Sequence, residues 1–185
     1  MAFETLCTSR LRLEPWSANH TELLVQLAST PQVARYIGDG LPWPADRATA
    51  LAQQLRQDWE RHGFGWRAAV EIDSGRQIGL AALTFAGAGA GVDADEYELG
   101  WWLDPGFWGR GLAREGAAAV RDEAFSRLAA PSVLARIQPA NRASLAVAAA
   151  IGLTHESDSV GRCGEPIAIL RLTKRRWRTL RPDEI

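Results

Sequence analysis

Lysine is nearly missing from this chain. It occurs once, at Lys174, among 185 residues, and arginine carries almost all the positive charge. The 21 basic and 22 acidic side chains leave a formal net charge of -1. That balance gives no bulk attraction to nucleic acid or to an anionic membrane, and neither is expected as a partner. Cysteine is scarce too: Cys7 and Cys163 lie far apart and form no Cys-x-x-Cys pair. With only His20, His62 and His155 beside them, metal-ligand spacing is lacking, so no metal is expected and the thiols read as buried or idle. No apolar run approaches the ~20 residues of a membrane span. The first residues, Met1-Ala2-Phe3-Glu4-Thr5-Leu6, have neither a basic start nor an apolar core, so they do not read as a signal peptide. The expectation is a soluble, cytoplasmic protein.

What is present suits one folded unit. A hydrophobic fraction of 46% and a charged fraction of 23% are ordinary for a globular chain long enough to bury a core, so residues 1–185 read as a single domain. Leu11, Arg12 and Leu13 alternate as a short strand, and Leu23, Leu24 and Leu27 follow at helical spacing. Pro42 and Pro44 interrupt the chain before a second helix through Leu51, Leu55 and Trp59, closed near His62-Gly63. Strands are predicted over residues 66–72 and 77–85 around Asp73-Ser74-Gly75, and again over 96–103. An alanine-rich helix reaches Leu128, a strand spans 132–138, a helix 141–151, and two strands lie near 153–157 and 166–172. The basic residues Lys174-Arg175-Arg176 read as a solvated end. This order predicts one mixed α/β domain.

Three short segments carry chemistry. Gly109-Arg110-Gly111-Leu112-Ala113 follows a strand and opens a helix. Glycines there let a bulky anion approach the backbone, and the first helical turn has amides without internal partners. Arg110 and Arg114 offer direct ion pairing. No Gly-Lys-Ser/Thr follows, which disfavours a Walker-type nucleotide site, and an antiparallel meander precedes it in place of a βαβ unit. The alanine–glycine run at 86–91 looks like a phosphate loop by composition but leads into a strand, so it reads as a hairpin connection. The second segment, Asn141-Arg142-Ala143-Ser144, sits where a strand gives way to a helix, and Asn141 suits an N-cap. In the third, Glu96 and Glu98 share a strand face with Gly100 and Trp102, as solvated edge residues or as site residues.

Taken together, in this order, these segments resemble the GNAT superfamily of N-acetyltransferases, especially its ribosomal-protein N-terminal (RimJ/RimL-like) branch. The resemblance runs from Thr8-Ser9-Arg10-Leu11-Arg12-Leu13 through Gly79 and Glu98-Leu99-Gly100-Trp101-Trp102-Leu103-Asp104-Pro105. It continues through Trp108-Gly109-Arg110-Gly111-Leu112-Ala113-Arg114-Glu115, then Asn141-Arg142-Ala143-Ser144, and ends with Ile151-Gly152-Leu153. One departure is Trp108, where the family pattern has Gln or Arg; it removes one polar contact at the edge of the cradle.

The resemblance implies a twisted, mostly antiparallel sheet of about seven strands flanked by about four helices, with a parallel V-shaped splay between its fourth and fifth strands. Acetyl-CoA is the implied co-substrate, its pantetheine paired with backbone near Trp102 and Leu103. Its pyrophosphate lies on the amides of Gly109, Arg110, Gly111, Leu112, Ala113 and Arg114. Asn141 bonds the pantetheine, and Ser144 lies near the sulfur as proton donor to the thiolate. Glu98 is the implied base, with Glu96 as runner-up. The implied partner is an amine acceptor, a protein N-terminus or a small molecule, in a ternary complex, and a homodimer is common in the family. The acceptor contacts fall to loops, around residues 36–44 and between the last two strands, with Trp16, Trp43 and Trp66 read either as an aromatic wall or as core. A silent acyl-CoA-binding or regulatory module on the same scaffold, and a phosphate-binding domain unrelated to CoA, are the alternatives.

Overall fold

A computed structural model describes residues 3–87 and 92–180. Of the alanine–glycine run, residues 88–91 lie outside the described residues. The chain opens with β1 (Leu6–Cys7) and β2 (Leu11–Pro15), then a 3-10 turn and helices α1 (Thr21–Ser29), α2 (Pro31–Ala34) and α3 (Ala45–His62). An antiparallel meander follows: β3 (Trp66–Glu71), β4 (Gln77–Phe85) and β5 (Tyr97–Leu103). Next come α4 (Leu112–Ser126), β6 (Ser132–Ile137) and α5 (Arg142–Ala150). The last elements are β7 (Thr154–Val160), β8 (Pro166–Thr173) and α6 (Lys174–Leu180).

The strands form one eight-stranded sheet in the order β1-β2-β3-β4-β5-β6-β8-β7. Every neighbouring pair is antiparallel except β5–β6, the parallel pair that the resemblance implied. Two details differ from the expectation. The additional strand is β1, whose two residues are too few to show an alternation. Six α-helices appear among the described residues where about four were read, because α2 is a single turn after Pro31 and the basic end folds as α6. Trp177 explains the second difference: its ring stacks on Phe125 at 5.1 Å, and its indole N–H donates to Asp122 at 2.7 Å. The basic residues around it stay outward while the aromatic docks α6.

Packing divides the molecule into two layers around the sheet. On one face α4 and α5 cover Leu11, Leu13, Ala81, Leu83, Leu99, Val133 and Ala135. On the other, α1 and α3 cover Ala68, Leu80 and Ala82. Helix α3 buries Ala48, Ala52, Leu55 and Trp59, one stripe at helical spacing, and stops at Gly63 in the left-handed region. Because β3 and β4 lie under helices on both faces, their residues are buried in unbroken runs rather than alternately. Side chains of β5 sort by parity, so Leu99 and Leu103 face α4 whereas Glu98, Gly100 and Trp102 face the α1/α3 layer.

Candidate active site

The parallel pairing of β5 with β6 covers only Tyr97–Val133 and Glu98–Leu134. Beyond Glu98 the strands separate, while β5 stays paired to β4 through Leu103 and β6 to β8 through Ile137. Each strand is held on its outer edge, and the two inner edges face each other without a ladder. That is a V with backbone donors and acceptors along its walls, a ready acceptor for an extended amide-bearing chain. Trp102 and Leu103 lie at its open end. Gly79 permits this geometry, since a Cβ there would collide with the Trp102 carbonyl oxygen and with Leu103.

The loop after β5 turns into α4 at the mouth of the V. Gly109 and Gly111 have φ of 74° and 76°, the left-handed region that glycine occupies without strain. A Cβ added at Gly109 would meet nothing within 4 Å, so the loop is open on that side. Gly111 is the N-cap of α4 and no side chain caps it; the first helical bond runs from the Glu115 amide to the Gly111 carbonyl. The amides of Gly111, Leu112, Ala113 and Arg114 therefore lack helical acceptors, and the helix dipole favours an anion beside them. The Leu112 side chain is core (1% exposed), so only its backbone can serve a ligand. Ala113 packs partly against the same core, and Arg114 is exposed without an ion pair among the described residues.

The Arg110 guanidinium is ion-paired within the chain. It donates to Glu71 on β3 at 2.5 Å and lies over the Phe107 ring at 5.3 Å. Glu71 is in turn held by the Ser74 hydroxyl, and these bonds keep its carboxyl below the usual range, Ser74 first and Arg110 after it. Arg110 thus braces the loop from outside. A second brace explains the Thr8-Ser9-Arg10 segment. Glu115, in the first turn of α4, accepts from the Thr8 hydroxyl (2.6 Å), Ser9 hydroxyl (3.1 Å), Arg10 amide (2.8 Å) and Arg10 Nε (2.7 Å). Arg10 also donates to the Arg110 carbonyl at 2.9 Å. Burial of Glu115 opposes its charge, yet these bonds together hold its carboxyl below the ordinary value. Trp108 repairs the departure noted in the sequence: its indole N–H donates to the Leu103 carbonyl at 2.9 Å, pinning the loop to the end of β5. That carbonyl is therefore already engaged.

On the opposite wall, Asn141 is the N-cap of α5, and its side-chain oxygen accepts from the Ser144 amide at 3.1 Å. The capping role is confirmed, and the amide NH₂ of Asn141 has no partner among the described residues. Ser144 is half-buried in the first turn beside it.

Near the closed end of the V stands a group the sequence did not announce. Arg136, on β6, reaches across to Glu98 with bonds of 2.9 and 2.5 Å and also donates to the Ala86 carbonyl at 2.7 Å. The bonds to Glu98 raise the pKa of Arg136 further, against the effect of burial. Glu96 is likewise bound, by Arg171 at 2.9 and 3.0 Å, and Arg171 also holds Glu156. On the same sheet face, Trp43 and Trp66 both meet Trp102 edge-on, at 5.6 and 5.3 Å. Trp16 does not join them; it is 3% exposed and packs on His20. Cys7 and Cys163 are exposed free thiols, not buried ones. Among the described residues no group of three His, Cys, Asp or Glu side chains is placed to hold a metal, and no helix is long and apolar enough to cross a membrane.

The profile of the acetyltransferase (GNAT) domain matches residues 10–154, most of the chain, including both walls of the V and the helices α4 and α5 beside them. The chain belongs to the GNAT acetyltransferase family. It carries an acetyltransferase enzyme domain, and acetyl-CoA is the co-substrate of that family. The chain is 33% identical over 156 residues to the FsC-acetyl coenzyme A-N(2)-transacetylase of Aspergillus fumigatus, an alignment covering 82% of this chain and 65% of that protein. The chain thus spans slightly less than two thirds of that relative. Among solved structures, an acetyltransferase from Agrobacterium tumefaciens superposes with a TM-score of 0.78 at 29% identity, over 93% of this chain and 95% of that one. The ribosomal-protein-S5-alanine acetyltransferase from Vibrio fischeri shares the fold, with a TM-score of 0.73 at 14% identity over 94% and 98% of the two chains.

Proposed function

We propose that this protein transfers an acetyl group from acetyl-CoA to a primary amine by direct attack in a ternary complex, with a protein N-terminus or a small-molecule amine as acceptor. The observation that carries the reading is the junction of a splayed parallel strand pair with an uncapped, glycine-opened helix N-terminus at its mouth. The residues fit the co-substrate: an open cradle at Gly109, free amides from Gly111 to Arg114, and an unladdered edge on β5. Gly109, Arg110, Gly111, Leu112, Ala113 and Arg114 hold the pyrophosphate through backbone amides. Trp102 and Leu103 line the pantetheine, and Asn141 donates to it through the amide NH₂ left over from capping.

The thioester supplies an activated acyl carbon: the amine nitrogen bonds to it, the carbon–sulfur bond breaks, and the proton shed by nitrogen balances the departing thiolate. Glu98 receives that proton from the amine, directly or through water. Arg136 takes one lone pair on each Glu98 oxygen, and a carboxylate with about four acceptor sites retains room for a further donor. Ser144 delivers a proton at the sulfur. A thiol with a pKa of about 8.5 is already a competent leaving group, so this contribution is the smaller one. The ribosomal-protein branch is the acceptor class the sequence resemblance favours.

One observation supports a second reading. Both acidic candidates, Glu98 and Glu96, are engaged by arginines, as they would be in a silent acyl-CoA-binding module. Calorimetry separates donor binding from turnover. CoA binds the wild type in preference to ATP, and Gly111→Trp, which fills the cradle, abolishes the binding. Tight CoA binding by that variant would remove the basis of the assignment.

A further inference from the structure

Gly100 stands at a place where neither the backbone nor its neighbours call for glycine. Its φ lies outside the left-handed region, in contrast with the loop glycines. A Cβ built on it would meet only the Ala82 Cβ, at 3.5 Å, an ordinary contact. Gly79, one strand away, is the opposite case, since a side chain there collides with β5. Glycine in a strand interior weakens it, and commonly marks a close approach by a ligand or another backbone.

Position defines what the free space serves. Parallel pairing ends at Glu98–Leu134, so Gly100 is the first residue of the splayed segment on Glu98's face. Along β5 it lies between Glu98 and Trp102, and Ala82 is beside it on β4. Extended two residues, the parallel register would set Gly100 opposite Arg136. That side chain turns away instead, to Glu98 and the Ala86 carbonyl. The space over Gly100 is therefore bounded within 4 Å only by Ala82, at the point where the V begins to open and on the sheet face that carries the tryptophans.

Resting on the donor reading above, we infer that Gly100 is the window in which the acyl carbon meets the amine, and that its missing side chain sets the size of the acyl group. The site takes a short, unbranched acyl chain, and a side chain at Gly100 occupies its place. The residues proposed above for the pantetheine and pyrophosphate, Trp102, Leu103, Asn141 and 109–114, are other than Gly100, so free CoA, which has no acyl group, is unaffected.

Calorimetry on the whole protein tests this without an identified acceptor, using CoA, acetyl-CoA and butyryl-CoA as probes, with thermal midpoints recorded alongside. Gly100→Ala keeps or raises the midpoint, leaves CoA affinity within about twofold, and weakens butyryl-CoA at least tenfold relative to CoA. Gly100→Val extends the loss to acetyl-CoA. The inference is overturned if all three affinities move together, if none moves, or if Gly100→Ala lowers the midpoint by more than about 5 °C, since packing would then explain the glycine. Absence of CoA binding to the wild type would take down the donor reading itself, and this inference with it.

Discussion

His20 shows how one buried side chain makes this fold sensitive to acid. Its Nδ1 accepts from the Ser17 amide at 3.1 Å, and its Nε2 lies 3.3 Å from Glu14, an arrangement that requires the neutral ring with its proton on Nε2. Burial pushes its pKa down, and the hydrogen bond and charge of Glu14 only partly oppose this. A histidine depressed in the folded state contributes stability above its unfolded pKa, about 6.5, and loses it as the pH falls below that value. The thermal midpoint of the wild type should therefore drop between pH 7.5 and 5.5 by more than that of His20→Gln. Parallel curves for the two proteins would contradict the assignment. At this same scale the sequence was most informative about backbone: the glycine turn at Gly109 and Gly111 and the Asn141 cap could be read from the strand-to-helix junctions. It was least informative for side-chain partners. Glu98 and Arg136 are 38 residues apart and Arg110 and Glu71 39 apart, and only the sheet order brings them together.

Among the elements, the join between the N-terminal segment and α4 governs the cradle. Thr8, Ser9 and Arg10 converge on Glu115, and Arg10 reaches on to the Arg110 carbonyl, so the loop inherits its position from β2. Glu115→Ala removes the carboxylate on which Thr8, Ser9 and Arg10 converge, leaving only the Arg10 bond to the Arg110 carbonyl, and should weaken CoA binding about tenfold, the value of roughly 1.4 kcal/mol of lost positioning. The measurement is calorimetric, with circular dichroism as a check on folding. An unchanged affinity would show that the loop holds its shape unaided. The Thr8-Ser9-Arg10 run stood out in the sequence only by resemblance. Its physical reason is a carboxylate one turn into a distant helix. Short elements escaped for a related cause: the two residues of β1 and the four of α2 carry too little periodicity to read, and α6 hid behind the charge of its arginines.

For the molecule as a whole, one buried ion pair ties the sheet to the helix that carries the cradle. Arg67 on β3 donates to Glu123 on α4 at 2.6 and 3.1 Å, and both side chains are 2% exposed. Arg67 also donates to the Glu4 and Leu13 carbonyls, and Glu123 accepts from Arg127. Removing one partner leaves a charge buried without compensation, so Glu123→Ala should cost about 3–5 kcal/mol in urea denaturation. A loss under about 1 kcal/mol would mean that the core relaxes around Arg67. The class of fold was legible in the order of elements, whereas the parallel pair and the site of the splay came from the family resemblance. The aromatic cluster was legible only in part: Trp43 and Trp66 join it as expected, but their partner is Trp102 and not Trp16, because a loop and two strands meet only once the sheet has formed.

The most direct test of the account is acceptor-dependent release of free thiol from acetyl-CoA, screened against N-terminal peptides, polyamines and amino acids. The account predicts that at least one amine class drives release by the wild type and that Gly111→Trp abolishes it. Saturable CoA binding with no thiol release above the uncatalysed rate for any amine would contradict it, and would leave a binding module in place of an enzyme.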